Sequence, residues 1–272
     1  MGLERLPGSL VVGLAMVAVI VLVALVGPIL LATDPTALHL EDALIPPGAG
    51  HLLGTDNFGR DVLVRIVGGA ATDLQIGLFC VVPPMLIGAT LGGLAGFYGG
   101  WLDTLLMRLA DIVVAFPFFV LVIAIVAVLG PGLTNMYIAV AIVGWTAYAR
   151  LIRGEVLVAK QADYVNAARV LGYGDGRILV RHLMPNVAGQ ALVFATSDFV
   201  LDILLGSSLG FLGLGARAPA PEWGVMIADG RDFIVQAPWT TAFPGLAIVV
   251  VALAFSLLGD GLADLLRVED RR

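Results

Sequence analysis

Two acidic residues four positions apart lie inside a strongly apolar stretch of the sequence. Asp198 and Asp202 belong to the run 187–211, which is long enough to cross a membrane as a helix. Residues at i and i+4 share one face of a helix. An acidic side chain at mid-bilayer costs on the order of a few kcal/mol, so this face is expected to meet protein or water rather than lipid.

Two interpretations of this acidic pair remain open. In the first, both carboxylates and Ser207 of the same run line a wet translocation path, where they meet a cationic group such as a peptide amine. In the second, the carboxylates bond to neighbouring helices or to an arginine of a partner subunit. A proton or sodium site of an ion-coupled secondary transporter is a separate alternative, but the internal inverted repeat that is typical of that class is not evident.

Residues that could support covalent or metal-dependent chemistry are scattered. The three histidines form no H-E-x-x-H motif and no cluster with the single cysteine, so neither a metal site nor a hydrolytic centre is predicted. The single lysine, Lys160, lies outside any phosphate-binding loop sequence. We therefore expect a chain that is not an enzyme and that binds no cofactor, metal ion or nucleic acid, with any ATP hydrolysis taking place on another chain.

Membrane helices are the elements that must position these residues. Of the 272 residues, 59% are hydrophobic and 13% are charged, which is about half the charged fraction of a soluble domain. The alternating strands of a membrane barrel are absent. The sequence predicts an all-α integral membrane protein with about six transmembrane helices, at approximately 9–31, 74–97, 104–129, 134–152, 187–211 and 240–262.

The predicted spans divide the chain into two parts. Residues 1–73 comprise an uncleaved first span and a polar loop, and residues 74–272 form a core transmembrane domain that contains a polar segment at 150–186. Basic residues stay on the cytoplasmic side. Six spans place eleven of the basic residues on the side of both termini and four on the other side. The eleven are Arg5, Arg108, Arg150, Arg153, Lys160, Arg169, Arg177, Arg181, Arg267, Arg271 and Arg272. Both termini and the segment 150–186 are therefore predicted to be cytoplasmic.

Two spacings predict contacts between helices. Glycines recur every fourth residue in the second span, at Gly88, Gly92, Gly96 and Gly100, and form a groove that another helix backbone can approach closely. The helix in that groove belongs either to this chain or to a second membrane subunit. In the third span, Arg108 and Asp111 are spaced i, i+3, which predicts an internal ion pair.

The polar segment 150–186 carries the most distinctive pattern. Residues 164–172 read Y-V-N-A-A-R-V-L-G, a short helix of small and apolar residues that ends at a glycine. A second amphipathic stretch follows, and Pro185 marks the entry to the next span. The apolar face of so short a helix is not buried within its own loop. It either docks into another protein or rests on lipid headgroups.

This segment resembles the E-A-A-x-x-x-G loop of permease subunits in bacterial ATP-binding cassette importers. Ala167, Ala168 and Gly172 match the motif, and Asn166 replaces its leading glutamate. Residues 181–186, R-H-L-M-P-N, are similar to the R-H-I-L-P-N form of one subfamily. The resemblance implies a coupling helix that inserts into a cleft of the ATPase subunit. The residues it assigns to this coupling are Tyr164, Asn166, Ala167, Ala168, Leu171, Gly172, Arg177, His182 and Pro185.

Further motifs in the same order extend the resemblance over nearly the whole chain. Residues 51–61 resemble the H-P-L-G-T-D-x-x-G-R-D segment of dipeptide and oligopeptide permeases, and the stretches F-L-G-L-G at 211–215, P-E-W-G at 221–224 and L-G-D-G at 258–261 resemble their last third. The group also serves nickel, glutathione and opines. The resemblance implies the type I importer permease fold in the bacterial inner membrane, in contact with lipid. It also implies three kinds of protein partner: a second homologous permease, two ATP-binding subunits and an extracytoplasmic substrate-binding protein.

One departure from the family pattern concerns the acidic pair. Permeases of this group usually carry a glutamate five residues before the F-L-G-L-G stretch, where this chain has Gly206. Asp202 lies one turn earlier on the same helix face. We hypothesise that Asp202 supplies the missing carboxylate.

Overall fold

The computed structural model describes residues 7–217 and 219–269, with side chains up to 266. Within these ranges the chain is helical, and a single isolated bridge joins Thr55 to Asp61. Five helices are long and apolar enough to cross a membrane, and a sixth crossing results if one bent pair of helices counts as a span. The predicted all-helical membrane architecture is confirmed. The terminal arginines used for the orientation, Arg5, Arg271 and Arg272, lie outside the described residues.

Ten α-helices follow one another along the described chain. They are α1 (Gly8–Leu31), α2 (Val62–Tyr98), α3 (Gly100–Val114), α4 (Phe118–Leu129), α5 (Leu133–Ala159), α6 (Asp163–Val170), α7 (Asp175–Ile178), α8 (Met184–Phe211), α9 (Trp223–Gly230) and α10 (Trp239–Glu269). A π-helical turn over 179–183 joins α7 to α8, so that α7, the turn and α8 form one continuous helix, Asp175–Phe211.

Helix α2 begins twelve residues before the span predicted at 74–97, because two charged side chains obscure its first turns. Arg65 and Asp73 lower the hydropathy of that stretch, yet both are buried in the bundle. Asp61 caps the helix by accepting a hydrogen bond of 3.1 Å from the Val64 N–H. The predicted polar loop therefore ends at Asp61, and the predicted division at 73–74 falls inside α2.

The single span predicted at 104–129 is wrong in shape. It consists of α3 and α4, which meet at an angle of 85°. Pro117 precedes the first residue of α4 and removes a backbone donor at the junction, which breaks the helix. The other predicted spans are extended rather than moved: α5 continues to Ala159, past the predicted end at 152.

The glycine groove of α2 is filled by α5 of the same chain. A side chain at Gly88 or Gly92 would overlap the backbone around Ala149, and one at Gly96 would lie 2.9 Å from the Arg153 carbonyl oxygen. Gly100 faces open space. Three of the four glycines thus serve the close approach of α2 and α5, which settles the alternative in favour of packing within the chain.

The predicted ion pair of α3 is secondary to a contact between helices. Arg108 lies 4.0 Å from Asp111, but Arg150 of α5 donates a hydrogen bond of 2.8 Å to the same carboxylate. Nearby, Arg153 of α5 forms a two-pronged pair with Asp103 of α3. These pairs tie α3 to the end of α5 that leads into the polar segment.

Candidate functional site

The segment between α5 and α8 folds as a compact helical loop with one buried and one exposed face. Val165 and Ala168 of α6 are buried against the ends of the bundle helices, in a cluster that includes Ile152 and Leu183. Tyr164, Asn166, Ala167 and Leu171 are exposed. Because the buried face is satisfied within the chain, the exposed face is free to meet another molecule. We call these four residues, which the resemblance assigns to coupling, the coupling surface.

Gly172 fixes the end of α6 through its backbone conformation. Its φ is +79°, a region that side-chain-bearing residues avoid. The Tyr173 N–H donates to the Ala168 carbonyl at 3.1 Å and the Gly172 N–H donates to the Arg169 carbonyl at 2.9 Å. This pair of bonds is the Schellman ending of a helix, as the predicted glycine break requires.

Arg177 and His182 both pack on the Tyr173 ring and so help to hold the loop together. The Arg177 guanidinium lies 4.2 Å from the centre of the Tyr173 ring, and the His182 imidazole stacks on that ring at 5.6 Å. Pro185 is in the first turn of α8, as predicted. Lys160 closes the other end of the loop by donating a 2.7 Å hydrogen bond to the Gly96 carbonyl of α2. The loop is therefore fixed to α2, α5 and α8.

Asp198 and Asp202 line one cavity of about 450 Å³ between α4, α5 and α8, with Cys80 of α2 also in its lining. We call it the acidic cavity. Asp198 accepts a hydrogen bond of 2.8 Å from the Tyr148 hydroxyl of α5. Asp202 is 4% exposed, and its Oδ2 has no hydrogen-bond partner among the described residues. Asp198 and Asp202 therefore share a helix face, as predicted. Asp198 accepts a hydrogen bond from another side chain, whereas Oδ2 of Asp202 accepts none from the described residues.

Ser207 lies away from this cavity. It is buried where α8 contacts Gly224 of α9, and its neighbour Ser208 faces the cavity instead. Gly206 packs on Ile76 of α2. The structure therefore brings together only the two aspartates of the three residues predicted for the translocation path.

Comparison with known protein families identifies the chain. The model of the family described as "Binding-protein-dependent transport system inner membrane component" matches residues 88–268. That range contains the coupling surface and both aspartates of the cavity. The chain belongs to this family.

Relatives of this permease are named for peptide transport. The dipeptide transport system permease protein DppC of Alkalihalophilus pseudofirmus is 45% identical over 256 residues, covering 94% of this chain and 84% of DppC. The glutathione transport system permease protein GsiD of Pectobacterium atrosepticum is 47% identical over 81% of this chain and 73% of GsiD. The probable D,D-dipeptide transport system permease protein DdpC of Escherichia coli is 41% identical over 96% of this chain and 88% of DdpC.

A solved structure shares the fold of the permease. The inward-facing MetNI methionine ABC transporter matches with a TM-score of 0.59 at 16% identity, covering 76% of this chain and 96% of the solved chain. The permease therefore has the type I ABC importer permease fold, and the secondary-transporter alternative gains no support.

The permease also contains a buried charge cluster that the sequence analysis did not single out. Arg60 forms a 2.6 Å pair with Asp56 and a 3.0 Å hydrogen bond to Asp229 of α9. Arg65 lies 3.5 Å from the same Asp56 carboxylate. The cluster fixes the loop before α2 to α9. The G-T-D-x-x-G-R-D stretch contains Asp56 and Arg60 and could have indicated the cluster, but it was used only for the resemblance to the permease family.

A buried acidic pair at the start of α9, Glu222 and Asp73, was also missed. Glu222 accepts hydrogen bonds of 2.6 and 2.8 Å from the N–H groups of Gly224 and Val225, and so caps α9. The carboxylate of Asp73 faces it and accepts a 3.2 Å bond from the Trp223 N–H. Burial raises the pKa of the Glu222 carboxyl. Asp73 was missed because it immediately precedes the predicted span.

Proposed function

We propose that the chain is the permease subunit that forms half of the translocation path for peptides or similar small solutes in an ATP-driven importer. A second homologous permease forms the other half, two ATP-binding subunits hydrolyse ATP and bind Mg²⁺, and an extracytoplasmic binding protein delivers the solute. The chain itself carries no catalytic residues. The peptide assignment rests on the names of relatives that match most of the chain.

The coupling surface is the single observation that carries this proposal. Tyr164 and Leu171 are 40% and 70% exposed although both are largely apolar. They project from a loop whose other face is packed into the bundle. Exposed apolar side chains on a rigidly held helix are typical of a protein interface. In this permease the interface receives the ATPase subunit.

Coupling follows from the way the loop is attached. Lys160, Val165 and Ala168 bind it to the bundle, so a displacement of the coupling surface moves the adjoining ends of α5 and α8. The acidic cavity lies between these same two helices. ATPase closure therefore changes the shape of the path between them. In this arrangement, both chain termini and the coupling surface are cytoplasmic, whereas the loops before α2 and around α9 meet the binding protein.

Reconstitution of the assembled complex tests the proposal. Proteoliposomes that contain both permeases, the ATPase subunits and the binding protein should take up dialanine only with ATP, and vanadate should stop the uptake. Uptake by the permeases alone, driven by a proton or sodium gradient, would overturn the proposal. Complex carrying an inactive ATPase subunit serves as the matched control.

A further inference from the structure

The cavity between α4, α5 and α8 contains one carboxylate oxygen that nothing in the described chain satisfies. Asp198 and Asp202 are neighbours on α8, but Tyr148 donates its hydroxyl only to Asp198. Asp202 is the more buried of the two in the cavity wall, and its Oδ2 has no partner among the residues described. A buried, unpaired charge is costly, so this oxygen favours a cationic partner.

The walls of the cavity supply no such cation from this chain. The described residues that line it are apolar or neutral apart from the two aspartates. Phe118 and Phe119 of α4 also line the cavity. Aromatic rings attract ammonium groups through their negative faces. An unpaired carboxylate oxygen in the cavity wall and two aromatic side chains in the same lining together suit an organic cation.

A metal ion fits this surface less well than an amine. Hard cations take about six or more oxygen ligands. The described residues contain no group of three or more potential metal-binding acids, histidines or cysteines. The cavity volume of about 450 Å³ is also within the usual range of small-molecule sites, roughly 300–1,000 Å³. The dimensions and the lining both favour a solute that presents a protonated amine.

We propose that Asp202 binds the protonated amino group of the carried solute during translocation, with Asp198 as a positioning residue held by Tyr148. This assignment rests on the proposed function and narrows it to solutes with a cationic end. The hydrogen bond from Tyr148 keeps Asp198 turned toward α5. The cationic group therefore meets Asp202 first and is also attracted by the second carboxylate at longer range.

Chemical protection tests the site directly. The assembled complex is treated with dicyclohexylcarbodiimide, and the labelling of Asp202 is quantified by mass spectrometry. Trimethylammonium should reduce that labelling several-fold, whereas tert-butanol, which has a similar size and a hydroxyl donor but no charge, should not. Trimethylammonium carries a donor proton but forms no amide with the activated acid. Equal protection by both compounds, protection by neither, or no labelling of Asp202 would each overturn the proposal.

Transport by matched variants gives a second test. Asp202→Asn should lower dialanine uptake about tenfold, as expected for loss of a hydrogen bond between charged groups, while ATP hydrolysis stimulated by the binding protein persists. Asp73→Asn removes a buried carboxylate outside the cavity and should leave uptake at about the wild-type rate. Unchanged uptake in Asp202→Asn would overturn the site alone. Loss of stimulated ATP hydrolysis in the wild-type complex would instead overturn the proposed function.

Discussion

The Tyr148 hydroxyl donates a 2.8 Å hydrogen bond to Oδ2 of Asp198, which joins α5 to α8 across the interior of the bundle. Tyr148 is fully buried, and its ring packs edge-on against Phe194 of α8. The two helices that flank the coupling surface are therefore joined by a polar contact within the membrane. In the proposed coupling, this contact transmits displacement between α5 and α8.

Removal of this hydroxyl should destabilise the permease. Tyr148→Phe should lower the free energy of unfolding by about 1.5–3 kcal/mol, the usual range for a hydrogen bond to a charged group. Tyr137→Phe is the matched control, because the Tyr137 hydroxyl is buried without a partner in the described chain. Thermal unfolding of the purified complex measures both. Equal losses in the two variants would contradict the role assigned to the Asp198 contact.

The ending of α6 should depend on glycine at one position and not at a nearby one. Gly172→Ala should lower the free energy of unfolding by about 1 kcal/mol or more, because φ is +79°, a conformation that alanine rarely adopts. The space around the position is open, so the loss comes from the backbone and not from a steric clash. Gly174→Ala should be close to neutral, since φ is −71° and a side chain there also meets open space. Binding-protein-stimulated ATP hydrolysis and thermal unfolding report the effect. A larger loss in Gly174→Ala would disprove this account of the loop.

A charge on the coupling surface should weaken attachment of the ATPase subunits. Leu171→Asp replaces an exposed apolar contact with a carboxylate and should reduce co-purification of those subunits by about tenfold, a loss near 1.4 kcal/mol. Leu52→Asp makes the same change at a similarly exposed leucine in the loop before α2. That variant should retain the ATPase subunits at the wild-type level. Retention of the subunits by Leu171→Asp would contradict the interface.

The buried acidic pair should make stability depend on pH. Burial raises the folded-state pKa of Glu222 above its usual 4.5, so this group binds a proton more tightly in the folded chain. The stability that this bound proton contributes is fully present below the pKa of Glu222 in the unfolded chain. It is lost as the pH rises through the pKa of Glu222 in the folded chain. Asp73 faces it from α2, and Ser207 and Tyr137 are the nearby hydroxyls.

The matched variant for this pair is Glu222→Gln. Unfolding of the complex, followed between pH 5 and pH 9, should show the wild-type melting temperature falling as pH rises, and a flatter profile in Glu222→Gln. The amide is neutral at every pH and retains an oxygen that caps α9. Identical slopes for the two proteins would show that Glu222 does not retain its proton in the folded state.

The sequence predicted the helical membrane class and the polar loop because both depend on local composition. Gly172 and Pro185 mark boundaries by backbone geometry, and the structure places both where expected. The predicted start of α2 was wrong because Arg65 and Asp73 lower the mean hydropathy of the residues around them. Their burial depends on Asp229, which faces Arg65, and on Trp223, which bonds to Asp73, and both partners are distant along the chain. Partners of this kind follow from tertiary packing alone.

The candidate site was predicted in part for the same reason. The i, i+4 spacing was enough to place Asp198 and Asp202 on one face. It gave no indication that Tyr148, fifty residues earlier, satisfies only one of them. Ser207 was grouped with the pair by proximity in sequence, but the helix turns it toward α9. Helical phase, read residue by residue, would have separated Ser207 from Asp202.

Cross-linking from the coupling surface shows whether this surface contacts the ATPase subunit. Cys80, the only cysteine, is buried and is replaced by alanine. A benzophenone maleimide is then attached to Asn166→Cys or, as control, to Val235→Cys, which is 95% exposed in the segment after α9. In the assembled complex, residue 166 should cross-link to an ATPase subunit on illumination and residue 235 should not. A probe at 166 that reaches only lipid, or an ATPase cross-link from 235, would contradict the account.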